Sequence, residues 1–222
     1  LIHIMKVVKT SGTLGDAFII VCKLYGKGIN LTEHYTKHEN LYDIIKEIFS
    51  LINIDVIKGK KSPTSIVGHI KKNDTYVENP KFDLPNVDRF KLPNKYSVLQ
   101  MKSGASNTQT WRKLNVKDVK GLKGDIVLIG TDNEPINIPN VIDLRNKCTL
   151  LESFKVIANS EHFYGPQGLL SYFALSQNVC SDVFLKSKVD KHAVEHRINK
   201  INKWKQNVKY HGDQQKVNNA KK

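Results

Sequence analysis

The chain has 222 residues, 40% hydrophobic and 25% charged, enough for one large domain or two small ones with packed cores. Its 35 Lys and Arg outnumber its 21 Asp and Glu, and the resulting formal charge of +14 suits phosphate backbones or anionic surfaces as partners. Cys22, Cys148 and Cys180 are an odd number without CxxC spacing, so neither a disulfide framework nor a zinc site is expected, and no run nears the roughly 18 apolar residues of a membrane span.

The N-terminal part alternates strand and helix. Residues 3–9 read as a buried strand, which runs into the turn Thr10-Ser11-Gly12-Thr13-Leu14-Gly15. A helix then opens at Asp16 and continues to about Tyr25, with Ala17, Ile20, Val21 and Leu24 on one face. Gly26 and Gly28 stop it, and Ile29–Thr32 is a short second strand. His38–Ile52 has the stripe of an amphipathic helix: Leu41, Ile44, Ile45, Ile48, Phe49 and Ile52. Ile54–Ile57 is a third strand. Repeated strand–helix units imply a parallel sheet.

Residues 64–95 are irregular, and Pro85–Asn94 reads as a linker. A second α/β unit follows. Tyr96–Met101, Gly124–Ile129, Val141–Ile142, His162–Tyr164 and Val179–Leu185 read as strands. Thr149–Ala158 is a helix whose Thr149 and Glu152 have capping-box spacing, and Gly168–Leu175 is a second helix. Val189 to about Lys209 reads as a long basic helix and Tyr210–Lys222 as a disordered tail. From residue 181 onward there are 11 Lys and Arg against 4 Asp and Glu. That stretch is either a phosphate-contacting helix and tail or a solvated face. The division expected is residues 1–90, 91–188, a basic helix over 189–209 and a tail over 210–222.

Two segments share one grammar: a strand, a glycine turn, then a helix. They are Met5–Asp16 and Phe163–Leu170, the second containing Gly165-Pro166-Gln167-Gly168. Backbone N–H groups and the dipole at such a helix start favour an anionic group. One turn in each of two Rossmann-like α/β domains facing across a cleft suits an enzyme that holds a nucleotide-sugar.

The order of motifs resembles the bacterial heptosyltransferase family (ADP-heptose:lipopolysaccharide type), whose members have the two-domain glycosyltransferase-B fold. The opening Met5–Asp16 is similar to the family's strand, small-residue turn and Gly-Asp helix start. Tyr96–Met101, the loop Lys102-Ser103-Gly104-Ala105-Ser106 and Trp111-Arg112 are similar to the start of its second domain. Ile126–Glu134, Leu144–Glu152 and the Gly-Pro-x-x-Gly-Leu turn at Gly165–Leu169 follow in the family's order. The chain departs from the pattern at Gln109, Gln167 and Ser171, and its first domain is shorter.

The resemblance implies glycosyl transfer from a UDP- or ADP-sugar to a hydroxyl, with no metal required. It makes Asp16 the catalytic base, a helix cap being the plain alternative. It implies donor contacts at Ser103, Gly104, Ser106, Arg112, Glu134, Gly165, Gln167, Gly168 and Leu169. Ser11, Gly12 and Thr13 would line the acceptor side, with His34 and His38 on the rim beyond the second strand. Asp132 is either a nucleotide contact or a solvated loop residue. The charge points to DNA bearing a 5-hydroxymethylpyrimidine as acceptor, as in phage genomes, with the base flipped out of the stack. Only Arg89, Arg112, Arg145 and Arg197 are arginine, which argues against sequence-specific readout. A saccharide acceptor and an inactive nucleic-acid-binding protein are the alternatives. A cytoplasmic protein without stable membrane insertion is expected.

Overall fold

The computed structural model describes residues 7–60, 79–103, 113–133, 135–185 and 208–211. The chain forms two compact units, Leu1–Pro85 and Asn86–Lys222. Both are α/β with parallel, Rossmann-like sheets, as the alternating pattern implies.

In the first unit, β1 (Val7–Ser11), α1 (Leu14–Leu24), β2 (Leu31–Tyr35), α2 (Tyr42–Ser50) and β3 (Asp55–Lys58) follow in order. The strands pair β1-β2-β3, all parallel, with Thr10 opposite His34 and His34 opposite Lys58. The stripe on α2 buries Leu41, Ile45, Ile48 and Phe49, and α1 buries Ala17, Phe18, Ile20 and Val21. The helix expected over His38–Ile52 begins as a 3-10 turn at Glu39–Leu41. The second strand extends three residues further than Thr32, through Glu33, His34 and Tyr35. Polar side chains hid that extension from a reading based on apolar runs.

The second unit holds β4 (Ser97–Gln100), α3 (Val116–Val119), β5 (Ile126–Ile129), β6 (Val141–Asp143), α4 (Leu150–Ala158), β7 (His162–Pro166), α5 (Leu169–Ser176), β8 (Cys180–Phe184) and β9 (Val208–His211). The six strands are parallel in the order β6-β5-β4-β7-β8-β9. The chain first winds outward from β4 to β6, then restarts on the other side of β4 and winds outward again. That is the doubly wound order, whose reversal between β4 and β7 opens a crevice at the strand carboxyl ends.

Thr149 caps α4: its N–H donates to Glu152 Oε2 at 2.8 Å and its Oγ1 accepts from the Glu152 N–H at 3.2 Å. Arg89 extends this cap by a two-pronged grip on Glu152, Nε to Oε1 and Nη2 to Oε2, each 3.0 Å. Leu99, Met101, Leu114, Val119, Ile126 and Leu128 form one core cluster. Phe154 of α4 and Phe173 of α5 stack face to face with centroids 4.1 Å apart.

Two expectations are corrected here. Gly165 and Pro166 belong to β7, not to a turn; β4 pairs with β7 only as far as Tyr164, so the missing N–H of Pro166 costs no bond on that side. Val208–His211 is a strand beside β8, whereas the sequence placed its first two residues in the basic helix and its last two in a disordered tail. The β8 ladder supplies its backbone partners. The rest of that helix and tail lies outside the described residues. No helix among the described residues is long and apolar enough to cross a membrane.

The stacked pair is the packing hinge of α4 against α5. Phe154→Ala is expected to cost about 3–5 kcal/mol through the lost contacts and the cavity left behind, read as a lower urea midpoint with an unchanged m-value.

Candidate functional site

Beyond the carboxyl end of β4 the chain passes through Met101 and Lys102 to Ser103. Lys102 and Lys113 form an antiparallel bridge, and the Leu114 N–H donates to the Met101 carbonyl at 2.8 Å. Gly104, Ser106, Arg112 and Glu134 are outside the described residues.

Ser103 is buried and donates from Oγ to the Gln167 carbonyl at 2.6 Å. Gly168 follows directly. A Cβ there would lie 3.0 Å from both Cβ and Oγ of Ser103, so the missing side chain is what lets the loop after β4 close on the start of α5. At that start the Gly168 N–H donates to Ser171 Oγ at 3.0 Å, and Ser171 Oγ donates back to the Gly168 carbonyl at 2.9 Å. Ser171 thus serves its own helix cap. Leu169 opens the helix.

Two buried amides stand at this edge. Gln100 Nε2 donates to the Lys102 carbonyl at 2.8 Å, and Gln167 Nε2 donates to the Tyr172 hydroxyl at 2.6 Å. Among the described residues, Oε1 of each accepts no hydrogen bond. A buried acceptor left open is costly unless a ligand or water fills it. Gly165 lies close to the Gln100 side chain. A Cβ on it would meet the Phe163 ring at 2.7 Å and Gln100 Cβ at 3.3 Å. The sequence singled out Ser103, Gly165, Gln167 and Gly168, and the fold brings them to one strand edge. Gln100 was missed; a glutamine ending an otherwise apolar strand was the available signal.

Asp132 is buried in an ion pair rather than solvated. Arg145 Nη1 donates to Asp132 Oδ1 at 2.9 Å, and its Nη2 donates to Asp143 Oδ2 at 2.7 Å. This charge cluster ties the loop after β5 to the one after β6, and the guanidinium holds the Asp143 carboxyl below its ordinary pKa.

In the first unit, Thr13 is the N-cap of α1 and Asp16 is the third helical residue. The Thr13 N–H and hydroxyl both donate to Asp16 Oδ2, each at 3.1 Å. Gly12 has φ of +138°, and a Cβ there would lie 2.4 Å from Asp16 Cβ. Only glycine fits where β1 turns into α1, which brings Asp16 up against the turn. Ser11 is buried at the end of β1, and Thr13 is exposed on the turn.

The expectation for His34 is overturned: it is not on the rim. It lies inside β2 with 0% exposure because its ring bonds into the sheet. Nδ1 is 2.8 Å from Thr10 Oγ1 and Nε2 is 3.3 Å from the Gly12 carbonyl oxygen. Burial pulls its pKa below 6.5, and the Gly12 carbonyl and the Asp16 charge pull it partly back. No group of three His, Cys, Asp or Glu among the described residues is arranged to hold a metal ion.

No protein-family model matches the sequence, and no curated protein does. Among solved structures, the chain is similar to the bacterial iron-containing dodecameric glycosyltransferase TibC from enterotoxigenic E. coli. The TM-score is 0.51 at 13% identity, over 81% of this chain and 58% of that one. The likeness is one of fold. A second TibC structure, the dodecameric iron-containing heptosyltransferase in complex with ADP-D-beta-D-heptose, aligns with a TM-score of 0.49 at 13% identity over the same shares. The chain therefore spans a little over half the length of the TibC chain.

His34 also sets a pH dependence. Its pKa is depressed in the folded state, so the unfolded chain binds the extra proton first as pH falls. The stability contributed is complete above pH 6.5 and declines below it. The depressed carboxyls of Glu39 and Glu152 lose their contribution only as pH falls below 4.5. Chemical denaturation between these two values is expected to show a decline that His34→Gln removes.

Proposed function

We propose that the chain is a glycosyltransferase that moves a sugar from a nucleotide-sugar, of UDP or ADP type, to a hydroxyl. The observation that carries this reading is the closure of Ser103 and Gly168 at the β4/β7 reversal of a doubly wound sheet. Ligands of such sheets bind in that crevice, and the start of α5 offers its dipole to a diphosphate. The open Oε1 acceptors of Gln100 and Gln167 suit hydroxyl or N–H donors of the sugar or base. In this reading Ser103, Gly104, Ser106, Arg112, Glu134, Gly165, Gln167, Gly168 and Leu169 form the donor side.

Asp16 is the base that takes the proton from the acceptor hydroxyl as it attacks the anomeric carbon in a single displacement. It stands in the first turn of α1, held by the Thr13 N–H and hydroxyl. Ser11, Gly12 and Thr13 complete the acceptor side. For the acceptor we infer a 5-hydroxymethylpyrimidine in DNA, supported by the charge of +14. A saccharide acceptor is the alternative.

Calorimetric titration of the full chain with UDP- and ADP-sugars is expected to give saturable heat for one of them, weakened by Gly168→Ala. No heat for any donor overturns the reading and leaves an inactive nucleic-acid-binding protein. With that donor, mass spectrometry of hydroxymethylated duplex DNA should show a sugar's mass gain; a gain on saccharide acceptors alone moves the acceptor to that class. Asp16→Asn keeps the shape of the cap and should lower kcat by about 10²–10⁴-fold.

A further inference from the structure

His34 is the end member of a hydrogen-bond chain with more contacts than protons. From one end, Nε2 of His34 faces the Gly12 carbonyl oxygen at 3.3 Å and Nδ1 faces Thr10 Oγ1 at 2.8 Å. Thr10 Oγ1 then faces Thr32 Oγ1 at 2.9 Å, and Thr32 Oγ1 faces the Val8 carbonyl oxygen at 2.8 Å. Both ends are carbonyls, which only accept. Two hydroxyl protons and the one proton of a neutral imidazole fill three of these four contacts. The three short contacts are the ones that hold a proton, which puts the imidazole proton on Nδ1 and leaves the longer Nε2 contact empty. A proton taken from solvent onto Nε2 completes the chain, and every contact then has a donor and an acceptor.

The empty contact ends on the residue that fixes Asp16. Gly12 sits in the turn at φ of +138°, its N–H donates to the Tyr35 carbonyl at 3.0 Å, and the next residue, Thr13, donates twice to the Asp16 carboxylate. We propose that His34 is a positioning residue for the Asp16 corner, and that a proton on its Nε2 switches on its hold on the Gly12 carbonyl. The inference rests on the reading of Asp16 as the base for its functional consequence, but not for its structural content.

The groups around the ring fit a proton site that fills late. Asp16 on α1 contributes a favourable negative charge. Lys58 on β3, in register with His34, is paired with Glu39 at 2.7 Å, which spends its charge away from the imidazole. Phe49 of α2 stands edge-on to the ring with centroids 5.6 Å apart and contributes no ionisable group. Complete burial opposes the charged form, so the switch works below pH 6.5.

Nitrogen-detected NMR of the full-length chain tests this directly. At pH 7 the His34 ring is expected as the Nδ1–H tautomer. On acidification Nε2 should gain the proton below pH 6.5, and the amide nitrogen of Thr13, bonded to the Gly12 carbonyl carbon, should shift with the same midpoint. His34→Gln places an amide N–H where Nε2 stands and should hold the Thr13 resonance at its acid position at every pH. His34→Asn reaches only the Thr10 side and should hold it at its neutral position. An Nε2–H tautomer at pH 7, or a Thr13 titration unchanged in His34→Gln, overturns the proposal. Should either variant fail to fold, the tautomer and midpoint of the unsubstituted chain decide. If sugar transfer is found, His34→Gln should also remove one step from the pH profile of kcat and leave the donor KM unchanged. If no sugar is transferred, the reading of Asp16 falls and the NMR result stands by itself.

Discussion

A parallel strand whose neighbours wind outward in both directions is left with no crossover above its carboxyl end, and in the second unit that strand is β4. Everything at the candidate donor site follows from this gap. The loop after β4 and the start of α5 must meet there, and both arrive with backbone groups that no strand neighbour satisfies. The Ser103 hydroxyl and the bare Cα of Gly168 resolve the meeting: one supplies a hydrogen bond, the other supplies room. A Cβ at position 168 would require Ser103 to give way by a few tenths of an ångström.

The polar groups buried in the two units are handled in two different ways. Around Arg145, opposite charges neutralise each other at hydrogen-bond distance, so the loops after β5 and β6 are tied together by a nearly closed electrostatic cluster. Such a cluster gives rigidity and has little left to offer a ligand. At Gln100 and Gln167, by contrast, Oε1 has no hydrogen-bond partner among the described residues. Low-dielectric surroundings make each open position costly, and cost of this kind concentrates at places that bind something. These two acceptors suit hydroxyl or N–H donors.

Much of the fold was legible because its signals are short in range. The stripe on α2, the capping box at Thr149 and Glu152 and the apolar run of β5 each involve residues at most a few positions apart, within reach of periodicity and capping rules. Strand ends were less legible. Leu31–Tyr35 carries polar side chains on a buried strand, and Gly165-Pro166 has the composition of a turn yet pairs with β8. In both places pairing with a neighbouring strand overrode the local preference of the residues. The site was legible in part: Ser103, Gln167 and Gly168 were named from motif order, whereas the burial of His34 and the pairing of Asp132 were not.

By itself the sequence determined the alternation of strands and helices, the parallel sheets that alternation requires, the caps of its helices and the excess of positive charge. These are set by residues close together along the chain and by composition. Only the tertiary structure decided the order of the strands, the reversal at β4 and the partners of the buried polar groups. Ser103 meets Gln167 across 64 positions, Arg89 meets Glu152 across 63 and Thr10 meets His34 across 24. Contacts at that separation depend on how whole strands stack, and no local pattern of residues encodes which of the possible neighbours will be buried together.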